Sequence, residues 1–117
     1  MALYLMLSKL TERGRARVKS APDRILEVNQ EVEEKGAKVI SQYALLGEFD
    51  FATVLEAPDN WNMLRLAMDL GARGTIETST YPALRINDFI SFMKAEPVEN
   101  TWRDDAEAHP ERDRKRR

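Results

Sequence analysis

The side chains with the most chemical potential in this sequence gather around one turn. Asp50 follows closely on Gly47, Tyr43 precedes both, and Thr78, Thr80 and Tyr81 occupy a later segment of similar character. A carboxylate among phenolic and aliphatic hydroxyls could orient a polar ligand, or accept a proton if burial raised its pKa. The competing role for Asp50 is a turn cap that accepts backbone N–H bonds. Tyr43, Thr78, Thr80 and Tyr81 are also residue types that strands favour for packing alone. No catalytic set emerges beyond these groups. The chain has no cysteine, which removes disulfides, thiolate chemistry and cysteine metal sites together. Its single histidine, His109, sits beside Pro110 in a charged tail, so no metal or cofactor is expected in the domain. Phosphate loops and nucleophile elbows are likewise missing from the sequence. Arg73, at the end of a helical segment, suits the negative end of the dipole better than a substrate anion, and Trp61 is a packing residue unless its indole proves exposed.

Positioning these groups requires a framework, and 117 residues suffice for one domain with one modest core. The run Ala2 to Ser8 is a strand apolar on both faces, with Leu3, Leu5 and Leu7 on one side and Tyr4 and Met6 on the other. Thr11 to Ala21 is polar and basic; it reads as a solvated connection in which Thr11 and Glu12 open at most a short helical turn, with an anion site as the alternative. Pro22 and Asp23 start a helix whose Ile25, Val28 and Val32 recur at helical spacing and which Gly36 ends. Lys38 to Leu46 is a second strand, with Val39, Ser41, Tyr43 and Leu45 on one face. A tight turn at Gly47, where glycine supplies a backbone angle that other residues resist, leads into a third strand from Asp50 to Ala57. Asp59 or Asn60 caps a second helix carrying Met63, Leu66, Ala67 and Leu70, and the Gly71 and Gly74 pair turns the chain into a fourth strand, Thr75 to Leu84. Asn87 and Asp88 cap a last short helix. Residues 1–94 thus form one domain, and residues 95–117 a charged tail expected to be disordered.

Strand, helix, strand, strand, helix, strand is the βαββαβ order of a ferredoxin-like α+β fold: a four-stranded antiparallel sheet with two helices on one face. Two helices cover one face only. The other must still hide one alternating set of the first strand and one of the third, either Phe51, Thr53 and Leu55 or Ala52 and Val54. A second copy packing its sheet face to face, as in a dimeric α/β barrel, removes that exposure. Gly47, Phe49 and Phe51 are the expected interface residues, and Tyr43, Asp50, Thr78 and Thr80 the expected ligand-binding residues of a site between the sheets.

The run from Leu45 to Asp50, followed by Phe51, Val54, Leu55, Glu56, Ala57 and Pro58, resembles the GYD domain family, named for its glycine, tyrosine, aspartate signature. Leu7 to Thr11 and the segment Gly74, Thr75, Ile76, Glu77, Thr78 and Thr80 fit the same pattern, so the likeness covers residues 1–92. Phe49 stands where the signature has tyrosine, so no role of that hydroxyl carries over. The resemblance implies a dimeric ferredoxin-like fold and no particular reaction. A shorter likeness, over Gly47 to Asp50 and Gly74 to Thr80, is to the effector-binding domain of the Lrp/AsnC regulators. Those proteins read small effectors at subunit interfaces, and their helix-turn-helix has no expected counterpart ahead of Ala2.

A net charge of −2 argues against wholesale nucleic-acid binding. No apolar run approaches the roughly 18 residues of a membrane span, and the start lacks signal-peptide features, so a soluble cytoplasmic protein is expected. The tail's Arg112, Arg114, Lys115, Arg116 and Arg117 are interleaved with acids and read as a solvated segment; contact with an acidic partner, anchored by Trp102, is the alternative. The expected function is a non-enzymatic homo-oligomeric module that binds a small ligand or a partner at its subunit interface. The alternatives are a cofactor-independent oxygenase or isomerase of the dimeric α/β barrel type, and a structural subunit of a larger assembly docked by its tail.

Overall fold

A run that is apolar on both sides belongs in the middle of a sheet, and β1 (Ala2–Leu10) takes that place in the computed structural model, which describes residues 1–95. With β2 (Lys38–Ala44), β3 (Phe51–Ala57) and β4 (Ile76–Ala83) it forms an antiparallel sheet in the order β2-β3-β1-β4. The helices α1 (Glu12–Ser20), α2 (Arg24–Glu34) and α3 (Asn60–Ala72) belong to the same body, Met1–Arg85. This is the ferredoxin-like βαββαβ arrangement, with α1 inserted ahead of the crossover helix α2. A second unit begins at Ile86 with α4 (Ile86–Lys94), an amphipathic helix whose Ile86, Phe89, Ile90 and Met93 share helical spacing. Helix α4 begins at Ile86, so Asn87 and Asp88 lie inside its first turn and not at its cap. Trp102, His109 and the basic cluster from Arg112 to Arg117 lie outside the described residues.

Alternation settles which strand residues meet the helices. Tyr4 and Met6 of β1 and Leu55 and Ala57 of β3 form the core with Val32 of α2 and Met63, Leu66 and Leu70 of α3. The buried polar residue Thr53 is satisfied on this same face: Gln42 Nε2 donates to Thr53 Oγ1 at 3.0 Å, and Asn29 Nδ2 donates to Gln42 Oε1 at 2.7 Å. Tyr4, although almost fully buried, donates its phenolic hydrogen to Asn60 Oδ1 at the start of α3.

Three local expectations change. The basic segment after β1 is a nine-residue helix and not a solvated connection. Its start is pinned to the chain ahead of β4 by Thr11, whose N–H donates to the Thr75 carbonyl at 3.0 Å and whose hydroxyl donates to the Gly74 carbonyl at 2.8 Å while accepting from Gly14 N at 3.1 Å. Gly14 is buried so closely that a Cβ there would lie 2.0 Å from the Thr75 oxygen. In β2 the register shifts between Val39 and Ser41, so Val39 and Gln42 face the helices while Ser41 and Tyr43 face away. A bulge inserts one unpaired residue and breaks strict alternation, which is why Val39 does not share a face with Tyr43. The β2–β3 connection is also no tight turn. It spans the six residues 45–50 between the two strands; Gly47 has no positive φ, and a Cβ there would meet no atom within 4 Å. Positive φ values occur instead at Gly36 (94°), where α2 ends, and Gly74 (75°), just before β4.

Candidate functional site

The second face of the sheet carries the apolar set that the helices of the body leave uncovered. Leu3, Leu5 and Leu7 of β1 pair in register with Ala83, Tyr81 and Ser79 of β4 and with Glu56, Val54 and Ala52 of β3. No helix of the body covers this outer face. Its leucines and Val54 are half-buried, and the flanking Tyr43 and Tyr81 are 58% and 52% exposed. Charges of both signs bracket the apolar strip: Lys9 opposite Glu77 at one end, and at the other Glu56 opposite Lys38 and 3.2 Å from Arg85. A face with an apolar centre and mixed-sign ends is compatible with a copy of itself.

The expected ligand-binding residues are not brought together. Tyr43 is on the outer face, opposite Ala52. Thr78 and Thr80 pair with Ser8 and Met6, both buried, and therefore point to the helix side. The period of a strand carries Glu77, Ser79 and Tyr81 to the outer face in their place. The Thr80 hydroxyl is buried and has no hydrogen-bond partner among the described residues.

Asp50 belongs to neither group. Its Oδ2 accepts from Leu10 N at 2.7 Å, its N–H donates to the Ser8 carbonyl at 2.8 Å, and its carbonyl accepts from Leu45 N at 2.8 Å. Two of these bonds tie the β2–β3 loop to the end of β1 and the third closes the loop on itself, an arrangement that makes Asp50 a loop anchor.

The expected interface residues divide as well. Gly47 is exposed and Phe49 half-buried, both in the loop. Phe51 pairs with Ser8 and, with Thr53 and Leu55, faces the helices, so the set left on the outer face of β3 is Ala52, Val54 and Glu56. Instead of an interface, Phe51 lines a cavity of about 240 Å³ between α1, α2 and the sheet. Arg73 forms an ion pair with Glu31 of α2, and Trp61 is 80% exposed at the start of α3. At the same helix start the Asn62 backbone N–H, and then its side-chain amide, hold the Asp59 carboxyl below its ordinary value of 3.8. Among the described residues no three His, Cys, Asp or Glu side chains converge on a metal position, and no helix is long and apolar enough to cross a membrane.

Sequence reasoning missed the cavity. Its signal was available in the spacing of Arg13, Gly14, Arg17 and Val18, which puts them on one stripe of a helix once that segment is helical.

The body is thus a ferredoxin-like sheet whose own helices cover one of its two apolar faces, with its acid and hydroxyls dispersed. The chain belongs to the GYD domain family, whose model matches residues 4–93. Its similarity extends to a protein of Thermus thermophilus called the glutamine synthetase and cystathionine beta-lyase binding protein: 40% identity over 95 residues, spanning 80% of this chain and 100% of that one. Among solved structures, the crystal structure of MtbAldR superimposes with a TM-score of 0.54 at 16% identity, over 86% of this chain. This chain spans 56% of MtbAldR, so the likeness is one of fold. A second crystal structure, also of a Thermus thermophilus protein, aligns over 84% of this chain and 100% of its own at 16% identity, with a TM-score of 0.48.

Proposed function

We propose that this chain is a non-enzymatic, homo-oligomeric binding module of the cytoplasm, which pairs through its outer sheet face and presents the resulting assembly to an enzyme partner. The outer face carries this reading. Leu3, Leu5, Leu7 and Val54 are the middle of a sheet, and burying them against the same residues of a second copy removes apolar surface from water with a self-complementary contact. The class of partner is suggested by the name of the Thermus relative, and glutamine synthetase and cystathionine β-lyase are the first enzymes to try.

The experiment has two stages. Sedimentation at micromolar concentration is expected to give a dimer or larger species for the native chain and a folded monomer for Leu5→Arg. Co-elution of the native chain with each purified enzyme, and its loss for Leu5→Arg, then tests whether assembly and partner binding are linked. A native chain that sediments as a monomer would end the oligomer reading; a dimer that retains neither enzyme would leave assembly and remove the partner class.

A further inference from the structure

We infer that the cavity between α1, α2 and the start of β4 is a binding site for a small anion with an apolar body, an alkyl or aryl carboxylate. This site is independent of the outer face and of any partner. The cavity has a volume of about 240 Å³ and sits on the opposite side of the sheet. Its floor is apolar, built from Leu10, Ile25, Val28, Phe51 and Ile76. Its rim is cationic, because α1 turns Arg13 and Arg17 toward it on the same stripe as Gly14 and Val18.

The charge around this rim is not balanced. Of the neighbouring arginines, Arg24 is paired with Glu27 at 2.8 Å, Arg73 is paired with Glu31, and Arg15 donates to the Leu10 carbonyl at 3.2 Å. Arg13 and Arg17 have neither an ion pair nor a side-chain hydrogen bond among the described residues. Two like charges one turn apart repel each other, and a carboxylate between them would relieve that repulsion while accepting paired guanidinium bonds. The same charges would repel an amine.

The cavity is also held open by construction. Thr11 fixes the first turn of α1 against Gly74 and Thr75, and the close approach of Gly14 to Thr75 prevents that turn from sliding. On the opposite wall the Asn29 and Gln42 amides are committed to each other and to Thr53, so they brace the space instead of collapsing into it. Its volume lies just below the range of roughly 300–1,000 Å³ usual for drug-sized ligands, which excludes a nucleotide and suits a medium alkyl chain or a single aromatic ring.

The test is titration of the full ¹⁵N-labelled chain with sodium octanoate, using octylammonium chloride as the charge-reversed probe. Octanoate is expected to give saturable shifts at the amides of Gly14, Val18 and Thr75, and octylammonium none. The exposed double variant Arg13→Gln/Arg17→Gln should keep the native melting midpoint and bind octanoate about ten-fold or more weakly. Val18→Trp, which fills the cavity while leaving both arginines, should also abolish the shifts. Equal binding of the two probes, binding unaffected by either variant, or shifts confined to the outer-face residues Leu5 and Val54 would overturn the assignment.

Discussion

The two faces of the sheet are built from the same strands and nearly the same residue types, yet they reach different ends. On the helix side Tyr4, Met6 and Leu55 are at most 4% exposed, and of the polar side chains among them Tyr4 and Thr53 are hydrogen-bonded while the buried Thr80 hydroxyl has no partner among the described residues. On the outer side Leu3, Leu5 and Leu7 are no less apolar but remain half-buried, and charge appears only at the two ends of the strip. The helix side is therefore the covered core, with a cavity left under α1. The outer side has the composition of a core and the satisfaction pattern of an interface, with polar groups displaced to a rim. A strand that is hydrophobic on both faces needs two covers, and the body of this chain encodes one of them.

Two substitutions at neighbouring positions of the sheet, one on each face, separate these roles. Leu55→Ala empties a side chain that is 1% exposed and should cost about 2–5 kcal/mol in chemical denaturation, because the cavity cannot fully collapse. Leu5→Arg, on the outer face, should leave the circular dichroism spectrum unchanged and convert the proposed dimer to monomer, with a smaller loss of intrinsic stability. If Leu5→Arg unfolds the chain as severely as Leu55→Ala does, the outer face is core and the distinction between the faces fails.

The distinction is partly legible in the sequence. Alternation in β1 identifies a two-faced strand, and the order of elements identifies the ferredoxin-like sheet, because both depend on local periodicity. What alternation alone does not decide is which set turns toward the helices: Phe51, Thr53 and Leu55 form as plausible an outer set as Ala52 and Val54. The bulge at Ile40 hides the true partition of β2 for the same reason, since an extra residue changes the phase without changing composition. Helix α1 escapes periodicity because its segment has almost no apolar stripe. It is held by Thr11 and by the close approach of Gly14 to Thr75, a contact more than sixty positions away in sequence. Chemistry alone groups Thr78 and Thr80 with Tyr43 and Tyr81, whereas strand register places the two pairs on opposite faces.

The β2–β3 loop offers an intermediate test, because it joins strands that contribute to both faces. Removing the acceptor in Asp50→Ala frees the Leu10 N–H from a charged partner and should cost about 1.5–3 kcal/mol, with Asp50→Asn losing less because it can still accept. Sedimentation of either variant at native temperature should match the native chain. A variant that keeps its stability but dissociates would move Asp50 from loop anchor to the outer-face interface.

The smallest effect should come from weakening one of the inner covers at its edge. Asp59 caps α3, accepting from Asn62 N at 2.9 Å, and α3 supplies Met63, Leu66 and Leu70 to the covered face. Those amide bonds hold the Asp59 carboxyl below 3.8, so its contribution is fully present above that value and is lost as pH falls through the lower folded value. Asp59→Ala should therefore lower the melting midpoint modestly at neutral pH, and the gap between variant and native chain should close as the solution is acidified through the lowered value of the folded Asp59 carboxyl. Because the cap touches only the helix side, the dissociation constant of the proposed dimer should not move at any pH where both proteins remain folded. A pH-dependent change in association specific to Asp59→Ala would mean that the inner cover and the outer contact are coupled through the sheet, and that its two faces do not act independently.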